Sequence, residues 1–347
     1  LEPVTSERDL VGRRDVLTRM AASILSPTVG SWIIHGQKRV GKTSIAKALV
    51  SRLQNQPCLL LYLEGGDYVQ PGAEGTVARL GSRVCNELRN RDARLAHLEV
   101  PSFTNAITPL IDFLDKSLSI IQDGRILLVL DEFDELPLEL YTRGPVGDAF
   151  FLSLRAMSSR ANVGCVIIGG EKIAHILDSQ GDQLNKWGVI PVDYFSRDRD
   201  WGDYRELVTR PAGAVLDFED EALVTVHEAT AGNPYFTKLL CRQVFQSAVE
   251  RRDCHVTSKE IEEAVGVLVR DAGRNTFQHF WEDGIFESGP RAAEKSIRRR
   301  KVLIAVAGGL RVRGVAEIDL VAGDPVVRDV ASVETDLREF ASRSVLV

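Results

Sequence analysis

The stretch Ser31-Trp32-Ile33-Ile34-His35-Gly36-Gln37-Lys38-Arg39-Val40-Gly41-Lys42-Thr43 decides the fold. It opens with a short apolar run that stops at glycine, and Lys42–Leu53 then sets Ile45, Leu49 and Leu53 at helical spacing. Strand, loop and helix in that order are what the pattern G-x-x-x-x-G-K-[ST], filled by Gly36 to Thr43, needs to bind phosphate. Gly36 and Gly41 reach backbone angles that other residues avoid, so successive N–H groups converge on phosphate oxygens at the positive end of the helix. Lys42 would reach the outer phosphates and the Thr43 hydroxyl would hold Mg²⁺, with Val40 and Ser44 in the same nucleotide-lining segment. The plainer reading is a loop with two turn glycines; by chance the pattern arises about once per hundred chains of this length.

Outward from the loop, apolar runs recur at Cys58–Leu63, Ile126–Leu130, Val163–Ile168 and, more weakly, Gly188–Val192. Helical patterns stand between them, one on Val77, Leu80, Val84 and Leu88, one from Ile107 to Ile121, and one around 146–159. Continuous apolar strands suit a parallel sheet buried on both faces, and their alternation with helices implies right-handed crossovers. The expected fold class is therefore α/β, a doubly wound parallel sheet of the P-loop kind, over residues 1–196. From Asp198 to Gly284 there are four or five helical segments and no convincing strand, so a helical lid domain is expected at 197–286. A helix at 292–306, short helical segments at Val315–Leu320, Val326–Arg328 and Val333–Arg343, and the apolar, strand-like Ser344–Val347 suggest a truncated winged-helix domain, 287–347. A chain that begins at Leu1 and stops in an apolar run is expected to be a segment of a longer protein.

The second half of the phosphate site is Asp131-Glu132, directly after Ile126–Leu130. A carboxylate at the carboxyl end of a buried parallel strand lies beside the ligand crevice, where Asp131 would hold Mg²⁺ through water. Glu132, one residue on, would orient and activate the attacking water, which makes Glu132 and Lys42 the candidate catalytic residues. Strands often end in charges, so the pair gains its meaning from the loop upstream. One strand, 58–63, separates the two motifs in sequence; this favours the P-loop branch with an additional strand and a catalytic glutamate over small GTPases and nucleotide kinases. Asp134 and Glu135 are expected to be solvated.

Together these features resemble the STAND class of AAA-like signal-transduction ATPases, relatives of the NACHT and NB-ARC proteins, over residues 8–347. Leu10-Val11-Gly12-Arg13-Arg14-Asp15 is similar to that class's opening motif, in which Val11, Gly12 and Arg13 would border the adenine; the plainer reading is a surface turn before a helix. Thr230-Ala231-Gly232-Asn233-Pro234-Tyr235 resembles the Gly-x-Pro motif, whose proline, here Pro234, would close over the nucleotide. It also reads as a helix stop followed by a helix start, and both readings hold together. The resemblance implies ATP or ADP with Mg²⁺, self-association on activation, flanking sensor or effector modules or partner proteins, and signalling in bacterial defence or regulation. Where relatives carry a polar sensor after the fourth strand, this chain has Gly169-Gly170-Glu171-Lys172, and residues 173–188 contain no arginine to act as a finger. The second-sensor arginine of AAA+ lids is replaced by Gly-Asn-Pro. These departures favour a slow nucleotide switch over a ring motor.

Composition narrows the alternatives. Forty-three Lys plus Arg against 49 Asp plus Glu leave a net charge of −6, unlike the overall basic footprint of a nucleic-acid coat protein. The one basic concentration, Arg298-Arg299-Arg300-Lys301, would contact DNA in a second hypothesis, an initiator or transposition ATPase using its winged helix; the plainer reading is a solvated face or a contact with the nucleotide domain. A third hypothesis is a scaffold that binds nucleotide without hydrolysing it. The longest uncharged apolar stretches, Ile126–Leu130 and Val163–Gly170, fall far short of the roughly 20 residues of a membrane helix, so no membrane partner is expected. Five cysteines without a Cys-x-x-Cys pair read as reduced thiols in a cytoplasmic protein. His35 reads as a packed residue at a strand end.

Overall fold

A computed structural model describes all residues except 1, 105, 123, 286, 288, 314–329, 344 and 347, and describes 274, 311–313 and 330 by backbone alone. Its sheet has five parallel strands, β1 (Trp32–His35), β2 (Cys58–Leu63), β3 (Arg125–Leu130), β4 (Val163–Gly169) and β5 (Gly188–Pro191). The helices threaded among them are α1 (Arg14–Ile24), α2 (Lys42–Leu53), the single turn α3 (Gly65–Tyr68), α4 (Ala73–Arg91), α5 (Pro109–Ile121), the single turn α6 (Leu138–Tyr141), α7 (Pro145–Ser158) and α8 (Lys172–Gln180). β3 shows why its residues are apolar without interruption. Ile126, Leu128 and Leu130 enter a core with α4, α5, α7 and α8, while Leu127 and Val129 point the other way into a core with α1 and α2. α8 leaves only a weak periodic trace, since its buried face is Ile173, Ile176 and Gln180.

The sheet order is β2-β3-β4-β1-β5. β1, which feeds the phosphate loop, and β3, which ends at Asp131, are therefore not neighbours; β4 lies between them. This corrects the role given to 58–63: β2 separates the motifs in sequence but occupies a sheet edge, and the strand inserted between them in space is β4. Parallel strands are joined by crossovers that skip positions, so order along the chain does not report order across the sheet.

The chain divides into two compact units, Leu1–Val265 and Gly266–Val347. In the first, the sheet is followed by α9 (Trp201–Ala212), α10 (Asp220–Thr230), α11 (Pro234–Arg251) and α12 (Ser258–Asp271), within which the division falls. Two short strands, β6 (Asp217–Phe218) and β7 (His255–Val256), pair in parallel. They correct the expectation of a strand-free segment, and two residues are too few to leave an alternating pattern.

The second unit contains α13 (Arg274–Phe277), α14 (His279–Glu282), α15 (Pro290–Arg313) and α16 (Val330–Ser342). α15 is longer than the expected 292–306, and α16 covers most of Val333–Arg343. The expected segments Val315–Leu320 and Val326–Arg328 lie outside the described residues, as do Ser344 and Val347. Val345 and Leu346 are not strand: their N–H groups donate to the Phe340 carbonyl at 2.9 and 3.3 Å, closing a turn after α16. Val302, Val306, Val333 and Phe340 form this unit's core.

The basic run is spent inside that unit. Arg298 reaches the Asp336 carboxylate with Nε at 2.6 Å and Nη2 at 3.0 Å; Arg299, fully buried, pairs with Asp336 and Glu339 and donates to the Asp283 carbonyl at 3.0 Å. Two of its four cations are thus neither a solvated face nor a ready phosphate contact. Because Asp336 is also fully buried, Asp336→Ala leaves buried positive charge without its partner and is expected to cost this unit about 3 kcal/mol. Hydrogen exchange of the α15 and α16 amides checks this, and unchanged protection would count against it. Among the described residues, no helix is long and apolar enough to cross a membrane.

Candidate functional site

The phosphate loop is built where β1 ends. A Cβ on Gly36 (φ +151°) would stand 2.1 Å from the Val192 carbonyl oxygen, so only glycine lets the loop leave the sheet this close to the chain after β5. Gly41 (φ +99°) caps α2 in the left-handed region, and no atom lies within 4 Å of where its Cβ would be. The inner side of the loop is therefore open at the N-terminus of a 12-residue helix, a cradle suited to anionic oxygens. Lys42 Nζ donates to the carbonyls of Gly36 at 2.9 Å and Gln37 at 2.6 Å, placing the ammonium across the loop. His35 just before it has its pKa lowered by burial and secondarily by the Lys42 charge, which favours the neutral ring.

A cleft of about 640 Å³ opens on this loop. Of the residues singled out by sequence, Val11, Arg13, Val40, Gly41, Lys42, Thr43, Ser44 and Pro234 line it together. Gly36 and Gly12 do not line it, and act through the backbone. A Cβ on Gly12 (φ +67°) would meet the Phe195 ring at 2.8 Å, so the turn before α1 presses onto the entrance to α9. Arg13, itself left-handed at φ +58°, lies over the Phe195 ring at 4.9 Å and donates to the Asp193 carbonyl; burial lowers its pKa.

The Gly-Asn-Pro stretch is both a helix stop and a helix start. Ala231 and Gly232 turn left-handed after α10, and the Asn233 side chain accepts from Tyr235 N–H at 2.9 Å and Phe236 N–H at 3.2 Å ahead of Pro234. Phe195 N–H donates to the Gly232 carbonyl at 3.0 Å, so this turn and Gly12 converge on one residue. Arg39, Tyr235 and Lys238 also line the cleft, without a role assigned to them from sequence. Arg39 stacks on Tyr235 at 4.2 Å, and Lys238, one turn beyond Pro234, faces the cleft with its pKa lowered by burial. Arg39 fills a variable position of the loop pattern, and nothing in sequence marks Tyr235 or Lys238 as its neighbours.

The carboxylates stand at the end of β3, outside the lining of the cleft and about 10 Å from β1 by two strand spacings. That separation suits a carboxylate acting on a metal through water. Asp131, 4% exposed, accepts from the Tyr62 hydroxyl at 2.6 Å on Oδ2 and from Glu132 N–H at 2.9 Å on Oδ1, while its carbonyl accepts from Tyr68 at 2.7 Å. Glu132 is left-handed (φ +56°), and its carboxylate lies against Gly65, where a Cβ would sit 2.9 Å from Oε2. Burial first, then the charges of Asp131, Glu64 and Glu135, raise its pKa above the usual glutamate value.

Asp134 departs from expectation. It is buried at 7% exposure, and Cβ atoms on Gly169 and Gly170 would come within 2.8 and 2.6 Å of its carboxylate. The carboxylate occupies the room a side chain would need at Gly169, where β4 ends, and at Gly170 just after it. Glu135 is exposed, as expected.

Four of the five sheet strands, β1 to β4, fall within one matched segment with the loop and the strand-end carboxylates. Residues 28–177 match the family model described as an AAA domain. The matched segment contains Gly36–Thr43 and Asp131-Glu132 but neither Val11–Arg13 nor Pro234. The whole chain also resembles solved structures of P-loop ATPases. A Walker-type ATPase of Pyrococcus abyssi is 15% identical with TM-score 0.58, covering 97% of this chain and 92% of that one. The Orc1 protein of Aeropyrum pernix in complex with DNA is 14% identical with TM-score 0.51, covering 96% and 84%. The RuvB Holliday junction branch migration motor of Thermotoga maritima is 14% identical with TM-score 0.51, covering 98% and 90%. At such identities the likeness is one of fold. No curated protein matches the sequence.

Proposed function

We propose that this chain is an ATP-binding, slowly hydrolysing molecular switch of the STAND kind, with a nucleotide-binding domain at 1–196, a helical lid at 197–286 and a winged-helix domain at 287–347. One observation carries the reading: Lys42 and Thr43 of the phosphate loop share a single cleft with Pro234 and Lys238 of α11. A ligand filling that cleft contacts both at once, so its phosphate content biases how the lid sits. Lys42 would exchange its loop carbonyls for phosphate oxygens; Val11, Arg13 and Pro234 would enclose the base. Mg²⁺, when bound, would neutralise phosphate charge; Thr43 would hold it directly and Asp131 through water. Glu132 would accept the proton of the attacking water. The absence of arginine in 173–188 supports slow turnover. Hydrogen exchange over 197–265 with ATP, with ADP and without nucleotide tests this. Distinct protection in the three states is expected, and identical protection would rule out a switch.

The Arg39–Tyr235 stack is the loop's own hold on the lid. Tyr235→Ala removes about 1 kcal/mol of cation–π attraction and is expected to raise exchange in the first turn of α11 about fivefold. An unchanged rate there would show that the stack does not tie lid to loop.

A second reading, a DNA-binding initiator or transposition ATPase, is favoured by the fold likeness to Orc1 solved with DNA. It is weakened by the engagement of Arg298 and Arg299 with Asp336. Duplex binding that falls steeply with salt and with charge reversal at Arg300 and Lys301 would favour it; salt-insensitive or absent binding discards it.

A further inference from the structure

We propose that Tyr62 is a positioning residue that aims the Asp131 carboxylate at the metal beside Thr43. The inference rests on the nucleotide reading above. In the sheet register Tyr62 pairs with Val129, and Asp131, two residues on, shares Val129's face, the face packed against α2. The helix that begins at the phosphate loop is also in contact with Tyr62: Lys47 lies over its ring at 5.6 Å and pairs with Glu64 at 3.2 Å. Lys47 is four residues after Thr43, hence on the same side of α2. Thr43, Lys47, Tyr62 and Asp131 thus form one continuous wall joining the loop helix to the end of β3.

At Asp131 the two carboxylate oxygens have different donors, the Tyr62 hydroxyl on one and Glu132 N–H on the other. Rotation of the carboxylate breaks both bonds, so the lone pairs left over point in a set direction toward a metal-bound water. An ionised carboxylate only accepts, so the Tyr62 hydroxyl is the donor of this bond. Tyr62→Phe retains the ring and its contact with Lys47 and removes the hydroxyl that donates to Asp131, along with its interaction with Glu64.

The test is the affinity for a fluorescent ATP analogue, measured with Mg²⁺ and with EDTA, for the unaltered chain and for Tyr62→Phe. The variant is expected to lose about tenfold of the Mg²⁺ enhancement while its affinity in EDTA stays the same, a split that general loosening of the site would not produce. Equal enhancement in the two proteins overturns the inference alone. A larger enhancement in the variant also overturns it, by showing that the phenol competes with the metal-bound water. Failure of the unaltered chain to bind the analogue overturns the nucleotide reading and this inference with it.

Discussion

Glu132→Gln is expected to leave ATP bound and to cut hydrolysis about a thousandfold, the scale of a lost general base. Glutamine keeps the shape of the side chain against Gly65 but has no basic oxygen to take a proton from water. Glu132 has a left-handed backbone directly after Asp131, and under the proposed function the two adjacent carboxylates would take different tasks. Its raised pKa also has a direction in pH: the base must be ionised to act, so turnover on acidification should begin to fall at higher pH than an ordinary glutamate would dictate. Single-turnover hydrolysis with labelled ATP, run beside an equilibrium binding measurement, checks both. Undiminished hydrolysis in the glutamine variant would remove Glu132 from the mechanism and favour the scaffold reading.

Lys42→Ala is expected to weaken ATP binding about a hundredfold, the worth of charge-assisted hydrogen bonds lost at a desolvated anion. The ammonium also bridges the carbonyls of Gly36 and Gln37, so alanine removes a brace from the loop as well as a charge from the phosphates. Adenosine, which lacks phosphate, should bind the two proteins alike. Calorimetric titration with ATP and adenosine separates the contributions. Equal ATP affinity would mean that the cleft does not hold a polyphosphate.

The parts of this molecule that were legible beforehand are those whose physics is local. Gly36–Thr43 is contiguous, so the whole phosphate-binding pattern is read from neighbouring residues. The strands were legible because a sheet buried on both faces leaves no polar position in runs such as Ile126–Leu130. Asp131 and Glu132 could be found because they follow such a run. What failed were statements about surroundings. Asp134 looked like a solvated acid until β4 brought Gly169 and Gly170 against it. Arg298 and Arg299 looked like a surface charge until α16 supplied Asp336.

By itself, then, the sequence determined that this chain has a parallel α/β sheet with a phosphate loop after its first strand and two carboxylates after its third. Only the tertiary structure decided that β4 stands between those two strands, that the Tyr62 hydroxyl donates to Asp131, and that Arg39 of the loop meets Tyr235 of α11. The reason is one of range: strand, loop and helix propensities act over a few neighbouring residues, whereas the partner of a charge or an aromatic ring is chosen by how distant segments pack.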